Sequence, residues 1–141
     1  EPLPSEKILR NEIDRARNFA NAFHNQKKKL KTFLSEYRRQ HGKVALFGAA
    51  HMACVFINLL ELKDHIEFVV DDNPHKKNLY MPSSRLPIMN SSAILEKNIK
   101  LCLLTLSAAS EEKVIQNNQE YLARGGHFHS IFPGNPLALP I

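Results

Sequence analysis

Apolar residues recur at helical spacing near the start of the chain and form short unbroken runs further along it. Residues 5–40 contain no glycine or proline, Ser5 is a suitable helix N-cap, and Gly42 is a suitable stop. Three- and four-residue steps, with Lys27 as the one charged member, place these apolar residues on one face: Leu9, Ile13, Ala16, Ala20, Phe23, Leu30, Leu34 and Tyr37. One amphipathic helix is predicted. Its length of ~50 Å, at about 1.5 Å per residue, exceeds the body on which it packs. We therefore expect that the helix either projects or breaks near residues 24–26.

From residue 42 onward, short apolar runs alternate with helical segments, as in a parallel sheet covered on both faces. Buried strands are predicted over residues 43–48, 66–71, 100–106 and 127–132, with a short edge strand at 86–89, where Pro87 cannot donate to a ladder. Helices are predicted over residues 50–61, 91–97 and 110–123, the last of them capped by Ser110, Glu111 and Glu112. The fold class is therefore α/β: a Rossmann-like parallel sheet of about five strands with helices on both faces, preceded by a long N-terminal helix.

Charge divides the chain into the same two parts. Residues 1–41 hold ten Lys or Arg against five Asp or Glu, whereas residues 42–141 hold nine of each. The net charge of +5 thus belongs to a helix or linker at 1–41, and the Rossmann-like domain at 42–141 is neutral. A neutral body argues against nucleic-acid binding, which uses a basic face. The run Lys27-Lys28-Lys29-x-Lys31 is either a solvated face or a patch for an anionic partner.

Neither a membrane partner nor export is predicted, because the chain has no membrane-length apolar run and no signal-peptide pattern. Cys54 and Cys102 both lie in apolar runs, which is typical of small buried thiols, so a cytoplasmic location is expected. The chain does not begin with Met. We therefore expect it to be part of a longer protein, with another domain upstream.

A candidate binding site follows the first predicted strand, in Phe-Gly-Ala-Ala-His-Met-Ala. A dinucleotide fingerprint, Gly-x-Gly-x-x-Gly/Ala, requires glycine at its middle position. Gly48 supplies the tight turn and Ala53 the close helix–strand contact, but Ala50 carries a Cβ that obstructs a pyrophosphate. Gly48, Ala49 and Ala50 therefore either contact another part of a ligand or only shape the fold. His51 opens the next helix, where backbone N–H groups favour anions. It is either a ligand for a phosphate or sugar hydroxyl, or simply exposed.

Paired carboxylates follow the second predicted strand, in Asp71-Asp72-Asn73-Pro74-His75-Lys76. Dinucleotide sites place a ribose-binding carboxylate at this position. Lys76 suits a diphosphate as a point charge on an exposed loop. The alternative is an Asx-type turn in which Lys76 pairs with Asp71 or Asp72. His127 and His129 share one face of the last strand, but no third ligand is evident, so no metal site is predicted.

The order of these segments adds information that no single motif carries. The glycine turn is followed by Val69-Val70-Asp71-Asp72-Asn73-Pro74-x-Lys76, then by Tyr80-Met81-Pro82, then by Leu86-Pro87-Ile88. This series, which covers nearly the whole chain, resembles the C-terminal domain of S-adenosylmethionine-dependent C-methyltransferases, the group that includes antibiotic deoxysugar C-methyltransferases. The chain departs from that pattern at Asn78 and Ser83, where the family usually has glycine. Ser107-Ala108 also replaces an aromatic-Asn pair that faces the cleft.

The resemblance implies that this domain is not catalytic alone. In that family an upstream methyltransferase domain binds S-adenosylmethionine and supplies the general base, so no cofactor is expected in this chain. The C-terminal domain forms one wall of the cleft and helps to hold a nucleotide-linked sugar. Carried over to matching positions, the implied substrate contacts are Gly48, Ala49, Asp71, Lys76, Tyr80 and Pro82, with Ser107 in the place of the cleft-facing pair.

Two other functions stay open at this point. One is a stand-alone module that binds NAD or another nucleotide and has a regulatory role. The other is an interaction domain that uses the long helix, for which a second copy of the chain is one partner. The missing middle glycine and the missing initiator Met favour the accessory domain over the stand-alone module.

Overall fold

The computed structural model describes residues 4–141. Helix α1, Glu6–Gln40, is unbroken, so the break expected near residues 24–26 is wrong and the helix projects instead. The reason is that His-Asn-Gln costs only a few tenths of a kcal/mol per residue in helix propensity, with no glycine or proline to interrupt the turn. Residues 4–22 are exposed, whereas Leu30 and Leu34 are buried. After α1, Gly42 turns the chain with φ +119°.

The rest of the chain forms a five-stranded sheet in which every pair is parallel. Its strands are β1 Val44–Phe47, β2 Val69–Val70, β3 Ile88–Met89, β4 Leu101–Leu104 and β5 His127–Ser130, in the order β3-β2-β1-β4-β5. The intervening helices are α2 His51–Leu59, α3 Ala93–Glu96, α4 Ala108–Asn117 and α5 Gln119–Ala123. The predicted fold class is confirmed, including the edge position of the strand next to Pro87.

The two faces of the sheet carry separate apolar cores because side chains alternate along each strand. Val44 and Leu46 of β1 point into the core shared with α1 and α2. Ala45 and Phe47 point into the opposite core, which contains residues of α3 and α5. Helices therefore cover both faces, as the unbroken apolar runs predicted. Within residues 4–141, no helix has the length and apolar character required to span a bilayer.

The helical segment after β4 differs from its prediction in two ways. Its N-cap is Ser107, whose hydroxyl accepts a hydrogen bond from the Ser110 backbone N–H at 3.4 Å, so Ser110 lies inside the first turn. Both serines fit a cap locally, but Ser107 follows the strand directly and has the extended backbone that a cap requires (ψ 156°). The segment is also divided at Asn118, whose side chain donates to the Val114 carbonyl at 2.7 Å and separates α4 from α5.

Polar contacts fix the second half of α1 against the body. Lys27 and Lys31 both pair with Glu61, so two lysines of the basic run face the domain while Lys28 and Lys29 are exposed. Further along the helix, the Arg38 guanidinium donates to the His65 carbonyl oxygen at 2.9 Å and to the Glu67 carboxylate at 2.8 Å. Together with the buried leucines, these contacts hold α1 against the body from Lys27 onward.

We expect the packing of α1 against the body to weaken in mild acid because His65 becomes protonated. Burial lowers the pKa of His65 below its ordinary value, and the charges of Arg38 and Lys31 lower it further. The pKa of His65 is lower in the folded state than in the unfolded state, so the folded state binds fewer protons. The free energy of unfolding is therefore unaffected by His65 above pH ~6.5 and declines as pH falls below that value. The urea midpoint should fall between pH 7 and pH 5 more steeply in the wild type than in His65→Gln. Equal slopes would contradict this, and exposed His24→Gln is the control.

Candidate functional site

A crevice of about 300 Å³ opens at the carboxyl ends of the strands. It lies where the chain leaves β1 toward one side of the sheet and β4 toward the other, which is where open α/β sheets bind ligands. Its lining residues come from the ends of β1 and β2, the end of β4, and α4: Phe47, Gly48, Asp71, Asp72, Asn73, Leu106, Ser110, Lys113, Val114, Asn117 and Asn118.

The floor of the crevice is the turn at Gly48. This residue has φ +107°, a conformation that L side chains rarely adopt. Its N–H donates to the Val70 carbonyl at 2.8 Å, and its carbonyl accepts from the Thr105 hydroxyl at 3.0 Å. A Cβ at this position would lie 2.6 Å from a Leu106 methyl carbon and 2.8 Å from the Thr105 oxygen. Three strand ends therefore meet at a point that only glycine can occupy.

The side chain of Asp71 organises the turn. Its Oδ2 accepts from the Ala49 backbone N–H at 3.1 Å and from the Lys76 ammonium at 2.7 Å. Its Oδ1 accepts from the Asn73 backbone N–H at 3.0 Å. The Lys76 ammonium also donates to the Ala49 carbonyl at 2.8 Å. Asp71 and Lys76 thus join the loop after β2 to the loop after β1.

The expectation that Lys76 is an exposed loop charge is therefore wrong, and the alternative is found. Asn73 forms an Asx-type turn by accepting from the His75 backbone N–H at 3.0 Å, and this brings Lys76 back toward Asp71. The side chains of Lys76 and Asp71 are only 32% and 16% exposed. The pair is half-buried and internally satisfied, because the lysine also has a carbonyl partner.

Removing the lysine should therefore affect stability. Lys76→Ala leaves the half-buried Asp71 carboxylate without its counter-ion, and we expect a loss of about 1–2 kcal/mol in the free energy of unfolding. The measurement is urea denaturation followed by circular dichroism. Lys97→Ala, on the exposed end of α3, is the control and should change stability by less than about 0.5 kcal/mol. Similar midpoints for both variants would contradict the expectation.

Asp72 has a different environment from its neighbour. Its Oδ1 accepts from the Ser91 backbone N–H at 2.7 Å, and the residue is exposed. Within residues 4–141 it has no Lys, Arg or His nitrogen within 4.0 Å. Asp72 therefore presents an accessible carboxylate to the crevice, whereas both oxygens of the Asp71 carboxylate are hydrogen-bonded within the turn.

The structure divides the predicted site residues into two groups. Gly48, Asp71 and Asp72 line the crevice, and Ala49 and Lys76 lie at its edge through their bonds to Asp71. The residues that do not line it are Ala50, His51, Tyr80, Pro82 and Ser107. Ala50 and His51 are exposed at the start of α2, and Ser107 caps α4. Tyr80 is 62% exposed and Pro82 accepts a bond from Asn58, both in the loop before β3.

Polar residues of α4 were not among the predicted site residues. Ser110, Lys113 and Asn117 all line the crevice, with Val114 between them. Their spacing of three and four residues places them on one helical face, and the helix follows β4, which lies between β1 and β5 in the sheet. The pattern was present in the sequence, but it is also the pattern of a solvated helix face, so it carried no functional signal without the topology.

The remaining candidate ligands do not form a metal site. In the part of the chain that the structure describes, no three His, Cys, Asp or Glu side chains are placed to hold a metal ion. His127 is exposed on the edge strand, and the His129 ring hydrogen-bonds to the Leu137 carbonyl at 3.0 Å. Cys102 is buried, and burial raises the pKa of its thiol. The side chains that line the crevice, among them Asp72, Lys113 and Asn117, can contact a ligand through hydrogen bonds and charge.

Comparison with family models gives a match over most of the chain. Residues 5–133 match the family model described as the C-methyltransferase C-terminal domain. No curated protein matches the chain. Two crystal structures of RSP, a Rex-family repressor, one of them in complex with beta-NADH, are similar in structure. Each is 13% identical in sequence, with 99% of this chain and 85% of the other covered, at a TM-score of 0.48.

Proposed function

Because the chain belongs to the C-methyltransferase C-terminal domain family, we propose that it is the accessory, substrate-binding domain of an S-adenosylmethionine-dependent methyltransferase. It helps to hold a nucleotide-linked sugar or a similar ligand and does not transfer methyl groups alone. The observation that carries this proposal is the crevice at the carboxyl ends of β1, β2 and β4, where polar side chains such as Asp72 and Ser110 lie beside apolar ones such as Leu106. Its volume of about 300 Å³ is at the low end for small-molecule sites. Such a volume suits one sugar or nucleoside unit, with the rest of the ligand held by the upstream domain.

The lining of the crevice supports a ligand rich in hydroxyl groups. The Asp72 carboxylate accepts hydrogen bonds, the Ser110 hydroxyl both donates and accepts, and the amides of Asn73 and Asn117 each carry an NH2 donor and an oxygen acceptor. Such groups match the hydroxyls of a sugar. The Lys113 ammonium adds one positive charge, which matches the phosphate of a nucleotide-linked ligand.

A dinucleotide is a poorer fit to the same crevice. The Ala49 N–H, which belongs to the turn that faces the pyrophosphate in NAD-binding folds, is bonded to Asp71. Ala50 in addition carries a Cβ where that fingerprint has glycine. These two features favour the accessory domain over a stand-alone NAD-binding regulatory module.

The projecting half of α1 is the proposed contact with the upstream methyltransferase domain, which would hold S-adenosylmethionine. Ile8, Leu9, Ile13 and Phe19 are between 48% and 75% exposed there. Arg15 and Arg17 pair with Glu12 and Asp14 of the same helix, so the basic residues do not form an unbroken stripe for nucleic acid. An interaction domain that pairs two copies through α1 is the alternative, and it predicts a dimer in solution.

Calorimetric titration of this domain tests the proposal. UDP-glucose, used as a generic sugar nucleotide, should give saturable heat, and Asp72→Ala should weaken it while Lys97→Ala does not. S-adenosylmethionine should give none, because the proposal places its site in the upstream domain. Saturable binding of S-adenosylmethionine, or no binding of UDP-glucose at millimolar concentration, would contradict the proposal.

A further inference from the structure

We infer that the Asp71 carboxylate fills the anion position at the glycine turn, and that the phosphate of the ligand binds instead on the opposite wall of the crevice, at Lys113. The sugar-nucleotide identity of the ligand rests on the proposed function. The placement of its charge rests on the contacts of Asp71, Lys76 and Lys113.

The glycine turn already has an anion of its own. In dinucleotide-binding folds, the backbone N–H groups after the first strand bind the pyrophosphate. Here the N–H of Ala49 donates to Asp71 at 3.1 Å, and Lys76 neutralises the same oxygen at 2.7 Å while also bonding to the Ala49 carbonyl at 2.8 Å. A phosphate at this point would have to displace a carboxylate that is 16% exposed and already paired. The turn is therefore closed to an outside anion.

The other wall of the crevice offers a positive charge that is not committed. Lys113 lies on α4, lines the crevice and is exposed. Within residues 4–141 no carboxylate oxygen lies within 4.0 Å of its ammonium, in contrast to Lys76. A lysine at the wall of a cleft attracts a phosphate as a compact point charge on a flexible stem.

The position of Asp72 fixes the direction in which a ligand can lie. Its carboxylate lines the same crevice and repels a phosphate, whereas it accepts hydrogen bonds from hydroxyl groups. A ligand with hydroxyls at one end and a phosphate at the other therefore lies with its hydroxyls toward Asp72 and Asn73 and its phosphate toward Lys113. The ligand class is a phosphorylated sugar or sugar nucleotide that places one unit in the crevice.

Two probes locate the charge: inorganic pyrophosphate and UDP-glucose, each titrated into this domain by calorimetry and by amide chemical-shift mapping. Pyrophosphate should shift the amides of residues 110–117 and leave those of residues 48–53 unchanged. Lys113→Ala should weaken both probes by about tenfold or more, the effect of one charged hydrogen bond. Lys97→Ala, with its lysine near the start of β4 and away from the crevice, should leave both affinities unchanged.

The complementary variant removes the internal anion. Asp71→Ala, or Asp71→Asn if the first does not fold, should allow pyrophosphate to shift the amides of residues 48–53 as a new site. Shifts at residues 48–53 in the wild type, or unchanged affinities in Lys113→Ala, would overturn the inference. If UDP-glucose binds with the same affinity to the wild type and to Lys113→Ala, the inference is wrong but the proposed function stands. Pyrophosphate binding at Lys113 without any UDP-glucose binding defeats the proposed function alone, and binding of neither probe defeats both.

Discussion

Replacing Gly48 with alanine is expected to lower the free energy of unfolding by about 2–5 kcal/mol, the sum of about 1–2 kcal/mol of backbone strain and about 1–3 kcal/mol of overpacking. The strain arises because φ is +107°, and the overpacking because the new Cβ would lie 2.6 Å from a Leu106 methyl carbon and 2.8 Å from the Thr105 hydroxyl oxygen. Thr105 cannot move freely, since it is buried and hydrogen-bonds to the carbonyls of Phe47 and Gly48. Thermal denaturation should show a fall in Tm of about 10 °C or more.

A second glycine separates the two contributions. Gly125 has φ +81°, but a Cβ at that position would have no atom within 4 Å. Gly125→Ala therefore carries the backbone strain without the steric conflict and should cost only about 1–2 kcal/mol. If Gly125→Ala were as damaging as Gly48→Ala, the close packing of the three strand ends around the turn would not be what requires glycine there.

The second large effect is expected in α1, at Leu34. This side chain is fully buried in the core with α2 and the sheet, so Leu34→Ala should cost about 2–5 kcal/mol through lost burial and the cavity that remains. Leu9 lies on the same stripe of the same helix but is 48% exposed. Leu9→Ala should change stability by less than about 0.5 kcal/mol, because leucine and alanine have similar helix propensities.

Urea denaturation of the two leucine variants, at two protein concentrations, distinguishes the roles of the two halves of the helix. A monomer gives the same midpoint at both concentrations, and only Leu34→Ala shifts it. If α1 instead joins two copies, the wild-type midpoint rises with concentration and Leu9→Ala abolishes that rise. A large loss in Leu9→Ala at every concentration would mean that the first half of α1 is supported by its own domain, contrary to its exposure.

The sequence predicted those features that depend on local pattern. The stripe of α1, the run into Gly48 and the paired carboxylates after β2 are each visible within a few residues, and each lies where the pattern placed it. Parallel topology followed from the same reasoning, because apolar runs separated by helical segments leave few other arrangements.

The features that the sequence did not resolve depend on contacts between distant segments. Nothing near Lys76 indicates whether its ammonium reaches a ligand or the carbonyl of Ala49, 27 positions away. Two serines three residues apart could each cap α4, and only the path of the chain out of β4 selects Ser107. The polar face of α4 became a candidate wall once the order β1-β4 placed it over the crevice.

The unbroken α1 gives this domain a mechanical property. Residues 6–22 extend beyond the body as a rod of about 25 Å, so a tilt of about 5° at its support would move the free end by about 2 Å. The fulcrum is set by Glu61, which holds Lys27 and Lys31 at the point where the helix leaves the core. Small changes in the packing of α1 near that carboxylate are therefore magnified into larger displacements of the free end.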